Sequence, residues 1–376
     1  MMSKTEPTNK RIVIKLGTSL LTGGGRQLNL DTMSRLVEQV ARLNKEGLEI
    51  IIVSSGAIAA GRDKLSSRLK LKGTALRQAL ASVGQSRLMN TYEGLFNKHE
   101  ITVAQALLTK EDLSDRAGYL NARNTLLSLI ELGVICIVNE NDVVATDELQ
   151  EYKFGDNDNL SAMVANLVDA DLLLMLTDIA GLYTADPQKD PEAKLIPEVE
   201  RIDARIERLA DKATRELSTG GMVTKIEAAK LATSSGVTVV IADGRQPETI
   251  LKVAAGESIG TRFWPLTSKL ESRKRWMVSG LCNRGKLIVD SGAASAVKKQ
   301  KRSLLPTGIR EVEGKFSRGD VVTICDQQGT IIGCGIVNYG AEAVKAITGL
   351  HSDKITEKLG YDYGDEVVHR NNLAVF

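Results

Sequence analysis

Short apolar runs alternate with amphipathic helical patterns along the first two thirds of the chain. Runs this apolar are typical of strands buried on both faces, as in a parallel sheet covered by helices. The predicted strands are 11–17, 48–56, 101–108, 134–140, 171–178 and 237–243, and the predicted helices are 31–47, 75–95, 119–132, 158–168 and 222–235. In the first helix, Asp31 is a candidate cap and Gly47 a candidate end.

The pattern changes after about residue 260. Segment 262–276 holds both tryptophans and five basic residues, and it is interpreted as a connection. Beyond it, short alternating runs separated by turn residues indicate a smaller, mainly β domain from about residue 280. The length of 376 residues also fits two or three domains.

Composition narrows the function classes. The net charge is +2 and aromatic residues make up 4%, which argues against a stacking-based nucleic-acid binder and against bulk attraction to membranes. The amino-terminal residues contain no apolar signal region, and no apolar run is long enough to span a membrane. The four cysteines lack metal-site spacing, so buried free thiols in a reducing cytoplasm are expected.

Distinctive polar and glycine-rich segments fall where the predicted strands end. In open parallel sheets, ligands bind beyond the carboxyl ends of the strands. The segments there are 17–19, 54–56, 139–142 and 177–178. Their common position predicts a ligand site at this edge of the sheet.

Glycine-rich loops ahead of helices favour anions, because exposed N–H groups and the helix dipole both attract negative charge. Neither a P-loop nor a G-x-G-x-x-G motif occurs. The glycine loops are the "KLGTS" segment, 22–26, 54–61 and 219–225. A single glycine loop is more often a tight turn, but together they indicate an extended phosphate site, with Lys15 and Lys225 as candidate phosphate ligands.

The polar clusters 139–142 and 156–159 suit an amino group and basic side chains, although turns and helix caps also favour Asn and Asp. The three histidines lack partners at catalytic spacing, which argues against a histidine base. Phosphoryl transfer to a carboxylate needs no base, because a carboxyl with a pKa near ~4.3 is already ionised at neutral pH. Mg²⁺ is expected to bind through nucleotide phosphates.

Long motifs in order resemble the glutamate 5-kinase family of the amino acid kinase superfamily. They include "VIKLGTSLLTGG", "VSSGAIAAGR", "VNENDVVAT", "GDNDNLSAMVA", "LLTDIAGLYTADP" and "STGGMVTK". The later "GKLIVDSGAASAV" and "GCGIVNYGAEAV" resemble a PUA domain. The resemblance implies an amino acid kinase-like three-layer sandwich with a mainly parallel sheet over 10–260, a linker at 261–280 and a mainly β PUA-like domain over 281–368.

The resemblance also implies site residues, an activity and partners. The activity is ATP- and Mg²⁺-dependent phosphorylation of the L-glutamate γ-carboxylate, the first step of proline biosynthesis, with proline as inhibitor. A homo-oligomer and handover of the product to the next pathway enzyme are expected. The implied catalytic residues are Lys15, Asp158 and Lys225, the glutamate contacts are Ser55, Asp142 and Asn157, and the nucleotide contacts are Lys15, Thr177, Asp178, Thr219, Gly220, Gly221, Met222, Val223, Thr224 and Lys225.

Two departures from the family pattern concern loops. Segment 147–153 is longer than the family pattern, which leaves open how it covers glutamate. The phosphate loop reads "STGGM", where a glycine often precedes the threonine. Both concern loop geometry and inhibitor affinity rather than the residues expected to contact substrates.

Two other interpretations stay open. The nearest alternative is a kinase that acts on N-acetylglutamate, aspartate or carbamate. The acidic Asp142 argues against an acetylated substrate, because it favours a free amino group. An RNA-binding protein is the other, with 298–302 as its basic patch. Residues 281–376 hold 13 Lys+Arg and 11 Asp+Glu, a net charge of only +2, which argues against RNA binding.

Overall fold

The computed structural model describes residues 10–65, 73–144, 157–187, 189–213, 221–268 and 285–375. The chain forms two compact units. The first unit combines Met1–Asp112 with Arg123–Lys269, and the second combines Leu113–Ala122 with Leu270–Phe376.

The first unit is built on an eight-stranded sheet of order β3-β4-β2-β1-β5-β7-β8-β6. Neighbouring strands are parallel except β7 and β8. The mainly parallel sheet and its six predicted strands are therefore confirmed, whereas β6 and β8 are additions. The strands are β1 Arg11–Leu16, β2 Glu49–Ser54, β3 Val103–Leu108, β4 Ile135–Glu140, β5 Leu172–Thr177, β6 Glu198–Val199, β7 Thr238–Asp243 and β8 Thr261–Phe263.

The structure describes ten helices along the same part of the chain as these strands. The five predicted helices are confirmed with small shifts at their ends, and the shorter helices were not predicted. The helices are α1 Thr18–Thr22, α2 Leu30–Lys45, α3 Ala57–Leu65, α4 Gly73–Asn97, α5 Lys110–Ser114, α6 Arg116–Glu131, α7 Asn157–Leu167, α8 Ala204–Ala213, α9 Met222–Ser234 and α10 Thr249–Ala254.

The two faces of the sheet pack against different helices. Ile12, Ile14 and Leu16 of β1 join a core with apolar residues of α1, α2, α4 and α10. Side chains alternate along a strand, so Val13 and Lys15 point to the other face. Helices α7 and α9 pack on that face. The result is the predicted three-layer arrangement, and it determines which face carries Lys15.

One local prediction about a helix end is wrong. Asn29, not Asp31, caps α2: its side chain accepts a hydrogen bond from the Thr32 N–H. Asp31 lies in the first turn, where its charge suits the helix dipole. The 22–26 glycine segment lies ahead of α2, as predicted, and it also ends α1, because Gly23 is the carboxyl-terminal cap of that helix with φ 60°.

Part of the 54–61 glycine segment serves helix packing. Gly61 of α3 and Gly84 of α4 lie where the two helices cross closely. An added Cβ on Gly61 would lie 2.0 Å from the Leu80 carbonyl oxygen, and one on Gly84 would lie 1.7 Å from that of Ala57. Gly61 is therefore required for the close packing of α3 on α4. It belongs neither to a phosphate-binding loop nor to a tight turn.

The second unit is built on a five-stranded sheet of order β10-β9-β11-β12-β13. Strands β9 and β11 are parallel and the other neighbours are antiparallel. Its core contains apolar residues of these strands and of three helices. The elements are β9 Gly285–Val289, α11 Ser291–Gln300, β10 Ile309–Gly314, β11 Val321–Asp326, β12 Ile331–Ile336, α12 Ala341–Ile347, α13 Ile355–Leu359 and β13 Leu373–Val375, with 3-10 turns at Pro306–Gly308, Ser352–Lys354 and Arg370–Asn372.

Segment 113–122 contributes to the second unit. Leu120 is fully buried with Val321, Ile336 and other residues of that sheet, and Arg116 forms an ion pair with Asp320. Strand β13 also lies beyond the predicted limit at residue 368. The domain limits 10–260, 261–280 and 281–368 stay predictions.

Two predictions based on composition concern residues that the structure describes. Cys136, Cys325 and Cys334 are buried free thiols, as expected, and Cys282 lies outside the described residues. The basic run 298–302 is exposed where α11 ends. In the part of the chain that the structure describes, no helix combines the length and hydropathy needed to cross a bilayer.

Gly84→Ala tests the close crossing of α3 and α4. The new Cβ overlaps the backbone of Ala57, so we expect the free energy of unfolding to fall by about 3 kcal/mol. Gly94→Ala on the same helix is the matched control, because its Cβ would meet nothing within 4 Å. That change should raise stability by up to about 1 kcal/mol. Urea unfolding of both variants measures the difference, and equal stabilities would contradict the packing argument.

Candidate active site

Three charged side chains meet at the carboxyl end of β1. Asp158 Oδ1 lies 2.5 Å from Lys15 Nζ, and Asp158 Oδ2 lies 3.1 Å from Lys225 Nζ. The side chains of the two lysines are 6% and 7% exposed, and that of Asp158 is fully buried. The structure thus brings together the three predicted catalytic residues, which we call the Lys15–Asp158–Lys225 triad.

Each member of the triad comes from a different element, one in the sheet and two in the helical layer that covers one of its faces. Strand alternation directs Lys15 to the face covered by α7 and α9. Asp158 lies in the first turn of α7, where a carboxylate suits the helix dipole. Lys225 is the fourth residue of α9. The triad therefore joins the central strand β1 to α7 and α9.

Lys225 lies near the amino-terminal end of α9, where the helix dipole disfavours a cation. Asp158 offsets this cost through its contact with Lys225. Thr224 Oγ1 lies 3.0 Å from Asp158 Oδ2 and 2.8 Å from the Gly221 carbonyl oxygen, which anchors the first turn of α9. The lysine is thus held in place at a helix end that is itself suited to phosphate.

The loop after β1 lies beside the Lys15 ammonium. An added Cβ on Gly17 would lie 3.7 Å from Lys15 Nζ. Gly17 also precedes α1 in an extended conformation. The predicted proximity of Lys15 to the 17–19 segment is therefore present in the structure.

A polar network lies at the ends of β2 and β4. Asn157 Nδ2 is 2.9 Å from Ser55 Oγ, 3.1 Å from the Ser54 carbonyl oxygen and 3.1 Å from Asn139 Oδ1. Two of the three predicted glutamate contacts, Ser55 and Asn157, are thus in direct contact. The third, Asp142, is half-buried two residues beyond β4.

Helix α4 contacts this network and supports it. Gln85, Leu88 and Tyr92 share one face of the helix, and the Tyr92 hydroxyl lies 2.8 Å from Ser54 Oγ. Burial, the main cause, raises the pKa of Tyr92 far above its ordinary value. Gln85 Oε1 accepts a hydrogen bond of 2.8 Å from Asn139 Nδ2. One helix thereby holds the ends of both strands.

The predicted nucleotide contacts Thr177 and Asp178 follow β5, on the other side of β1. Thr177 Oγ1 donates to Asp178 Oδ1 at 3.1 Å. Arg245, just beyond β7, donates to the Asp178 carbonyl oxygen at 2.5 Å and pairs with Asp243 at 2.8 Å. Arg245 therefore fixes the backbone that carries a predicted nucleotide contact.

Asp243 and Arg245 change each other's protonation equilibria. Burial is the largest influence on Asp243 and raises its pKa, but hydrogen bonds from the Arg245 side chain and backbone outweigh burial. The pKa of Asp243 is therefore below its ordinary value. The hydrogen bonds to Asp243, the largest cause, raise the pKa of Arg245.

Some predicted residues lie outside the described part of the chain. These are Thr219 and Gly220 of the phosphate loop, the candidate helix cap Asp156 and the 147–153 segment. Gly221 caps the amino-terminal end of α9, and Met222, Val223 and Thr224 form its first turn with Lys225 next. The described half of the predicted phosphate loop therefore leads directly into the triad.

Sequence reasoning missed the supporting residues Gln85, Tyr92, Asp243 and Arg245. A signal existed for two of them, because "DGR" starts at the last residue of β7, at the same sheet edge as the other polar segments. Gln85 and Tyr92 lie inside a long helix, in the segment "VGQSRLMNTYEGLF" that resembles the glutamate 5-kinase family, but nothing in that segment indicates their contacts. Their contacts arise only from the packing of α4 on β2 and β4.

Asp243→Asn tests the ion pair that holds the Asp178 backbone. A carboxyl whose folded pKa is depressed contributes stability above its unfolded pKa, and loses it as the pH falls through the folded pKa. We expect the substitution to lower the free energy of unfolding by about 1–3 kcal/mol at pH 7. The difference should begin to narrow below about pH 4, and it should close once the pH is below the folded pKa of Asp243.

Arg245→Met is the companion variant for this test, because it removes the other half of the ion pair. Urea unfolding between pH 3 and pH 7 should show the same pH-dependent loss. A loss that is constant with pH for both variants would contradict the assigned pKa shift.

Comparisons with known proteins agree with this architecture. The amino acid kinase family model matches residues 10–243, and the PUA domain model matches residues 285–359. A glutamate 5-kinase of Dehalococcoides mccartyi (strain ATCC BAA-2266 / KCTC 15142 / 195) is 60% identical over 366 residues, which cover 97% of this chain and 98% of the relative. A glutamate 5-kinase of Herpetosiphon aurantiacus is 49% identical over the same shares of both chains.

Among solved structures, a UMP kinase from Ureaplasma parvum matches with a TM-score of 0.48 and 16% identity, covering 68% of this chain and 99% of that one. This likeness is too slight to bear on function. The family model covers more than half of the chain, and the relatives align over nearly all of it. The chain therefore belongs to the amino acid kinase family, and a PUA domain follows its kinase domain.

Proposed function

We propose that this protein transfers the γ-phosphoryl group of ATP to the γ-carboxylate of L-glutamate, the first step of proline biosynthesis. The observation that carries the proposal is the buried Lys15–Asp158–Lys225 triad at the carboxyl end of the central strand. The relatives named glutamate 5-kinase, aligned over nearly the whole chain, support the choice of glutamate.

The order of the strands supports a linear arrangement of the substrates. Strand β1 with Lys15 lies between β2 on one side and β5 on the other. Ser55 and Asn157 are on the β2 side, and Thr177 and Asp178 follow β5. In this proposal the amino acid binds over β2 and β4, the nucleotide binds over β5 and β7, and the phosphoryl group crosses at Lys15.

The transfer uses no protein base. One oxygen of the γ-carboxylate attacks the γ-phosphorus, the bond from that phosphorus to the bridging oxygen of ATP breaks, and ADP leaves with the electron pair. The Lys15 and Lys225 ammonium groups would stabilise charge on the transferring phosphoryl group and on the β-phosphate. Asp158 would hold both ammonium groups at fixed positions, so that little reorganisation accompanies the step.

Mg²⁺ fits this site as an ion carried by the nucleotide. Among the described residues, no group of three or more His, Cys, Asp or Glu side chains is placed to bind a metal. The donors at the phosphate end are lysine ammonium groups and a helix amino-terminal end, which suit phosphate oxygens. When bound to ATP, Mg²⁺ would neutralise charge on the phosphates, as is usual in phosphoryl transfer.

Several features of the proposal rest on the family resemblance. They are inhibition by proline, assembly into a homo-oligomer, handover of the product to the next enzyme, and a cytoplasmic location. Proline added to the glutamate assay and size measurement in solution test the first two. RNA binding by the PUA domain stays disfavoured by its small net charge, and salt-dependent RNA retention would revive it.

The assay for the proposed function uses the purified chain with ATP, Mg²⁺, hydroxylamine and one acid at a time. We expect γ-glutamyl hydroxamate from L-glutamate and little product from aspartate or N-acetylglutamate. If only another acid gave product, the phosphoryl-transfer reaction would stand, but the choice of glutamate would be overturned. No product from any acid, with nucleotide binding intact, would overturn the proposed reaction.

Lys225→Met tests the triad as the site of phosphoryl transfer. Loss of one preorganised cation should lower kcat about 10²–10³-fold. Lys230→Met on the same helix is the matched control, because Lys230 is exposed and pairs with Glu207 at 2.6 Å. Steady-state kinetics and thermal unfolding of both variants separate catalysis from folding. A kcat within twofold of the parent for Lys225→Met would contradict this role.

Asp142→Asn tests the proposed contact with the substrate ammonium group. Removing the charge should raise the KM for L-glutamate at least about tenfold, which corresponds to about 1.4 kcal/mol. The KM for ATP should stay the same, because the nucleotide binds on the other side of β1. An unaltered glutamate KM would overturn the assignment of Asp142.

A further inference from the structure

Gln85 has a polar group that neither the fold nor the proposed function explains. Its Oε1 atom accepts a hydrogen bond from Asn139, but its Nε2 atom is buried and has no hydrogen-bond partner among the described residues. A buried donor without a partner is unfavourable, because it has given up its hydrogen bonds to water and gained none in return. Such groups are rare in folded proteins, and each calls for a physical explanation.

The same network contains a second atom of this kind with the opposite character. Asn157 Oδ1 is a buried acceptor that also has no hydrogen-bond partner within the described part of the chain. Asn139, only 2% exposed, connects the two residues through hydrogen bonds on both of its amide atoms. The network from Gln85 to Asn157 therefore ends in a spare donor on one side and a spare acceptor on the other.

The head group of an α-amino acid matches this pair. Its carboxylate accepts hydrogen bonds and its ammonium group donates them. A site that leaves a donor and an acceptor unsatisfied also discriminates against molecules that lack the matching groups. The network thus suits a ligand that carries both kinds of group.

The strand order indicates which end of the substrate meets Gln85. Lys15 lies on β1, Ser55 follows β2, and Asn139 lies on β4, which is the next strand outward. Gln85 contacts the network at Asn139. The reacting γ-carboxylate has to be near Lys15, so the opposite end of glutamate extends toward Gln85.

We propose that Gln85 Nε2 donates a hydrogen bond to the α-carboxylate of the amino-acid substrate. The proposal rests on the proposed function, because it assumes that an amino acid is the phosphoryl acceptor. Gln85 Oε1 keeps its bond to Asn139 and so orients the amide toward the substrate. Both spare atoms are covered by protein in this structure, so binding requires the neighbouring side chains to shift and admit the head group.

Gln85→Glu is the sharpest variant for this proposal. It keeps an acceptor for Asn139 while it removes the spare donor and places a negative charge opposite the carboxylate. We expect the KM for L-glutamate to rise at least 30-fold, from the loss of one hydrogen bond and the added repulsion. The values of kcat and of the KM for ATP should stay within about twofold.

Asn90→Asp is the matched control. Asn90 is exposed on the same helix, and the change adds the same charge through the same replacement of an amide by a carboxylate. Its kinetic constants should equal those of the parent protein. Gln85→Met, which keeps the length of the side chain and removes both polar atoms, should also raise the glutamate KM, and it guards against an effect of charge alone.

A substrate analogue separates a direct contact from a general disturbance of the site. 4-Aminobutyrate has the ammonium and reacting carboxylate groups of glutamate but lacks the α-carboxylate. Its inhibition constant against L-glutamate should differ less than threefold between the parent and Gln85→Glu. Equal weakening of glutamate and 4-aminobutyrate, or an unchanged glutamate KM, would overturn the proposal.

Measurements of binding without turnover distinguish a failure of the Gln85 contact from a failure of the proposed function. Protection of the parent protein from thermal unfolding by L-glutamate, and its loss in Gln85→Glu, would support the Gln85 contact independently of catalysis. If the parent phosphorylates glutamate and Gln85→Glu binds it equally well, only the Gln85 contact fails. If the parent neither binds nor phosphorylates glutamate, the proposed function fails and the Gln85 contact fails with it.

Discussion

The contact of one buried carboxylate with two lysine ammonium groups is the constraint on which the candidate active site depends. Asp158 is fully buried, and removing a charge from water costs several kcal/mol unless it is paired. The pairing requires that α7, α9 and β1 approach one another at fixed distances. The same requirement places both lysines at the sheet edge, so the stability of this region and the proposed phosphate chemistry share one set of contacts.

The rest of the site follows from the order of the strands around β1. Residues at the ends of β2 and β4 form one polar network, and residues at the ends of β5 and β7 form another. Each network has its own support, from α4 on the first side and from Arg245 on the second. Because the two networks have separate supports, a substitution in one of them can leave the other undisturbed.

Much of the fold could be predicted because its signals are local. Apolar runs revealed the six main strands, and alternation along β1 is enough to place Lys15 on one face. The glycines show where local reasoning fails, because the phosphate-loop pattern and a close helix crossing both demand a residue without a side chain. Only the packing of α3 on α4 shows that Gly61 and Gly84 are needed for the close helix crossing.

The supporting contacts of the site could not be predicted from the sequence for a related reason. Gln85 meets Asn139 across 54 positions, and Arg245 meets Asp178 across 67 positions. Nothing in the neighbourhood of either residue indicates its partner. The residues implied by long motifs, such as Lys15 and Asp158, could be named because the family resemblance carries information about distant contacts.

The most direct test of the account asks whether the substrate carboxylate itself attacks phosphorus. The purified protein would receive L-glutamate with ¹⁸O in its γ-carboxylate, together with ATP, Mg²⁺ and hydroxylamine. Hydroxylamine attacks the carbonyl carbon of an acyl phosphate, so the bridging oxygen leaves with phosphate. The account predicts that the released phosphate carries one ¹⁸O atom by mass spectrometry, and phosphate without the label would contradict it.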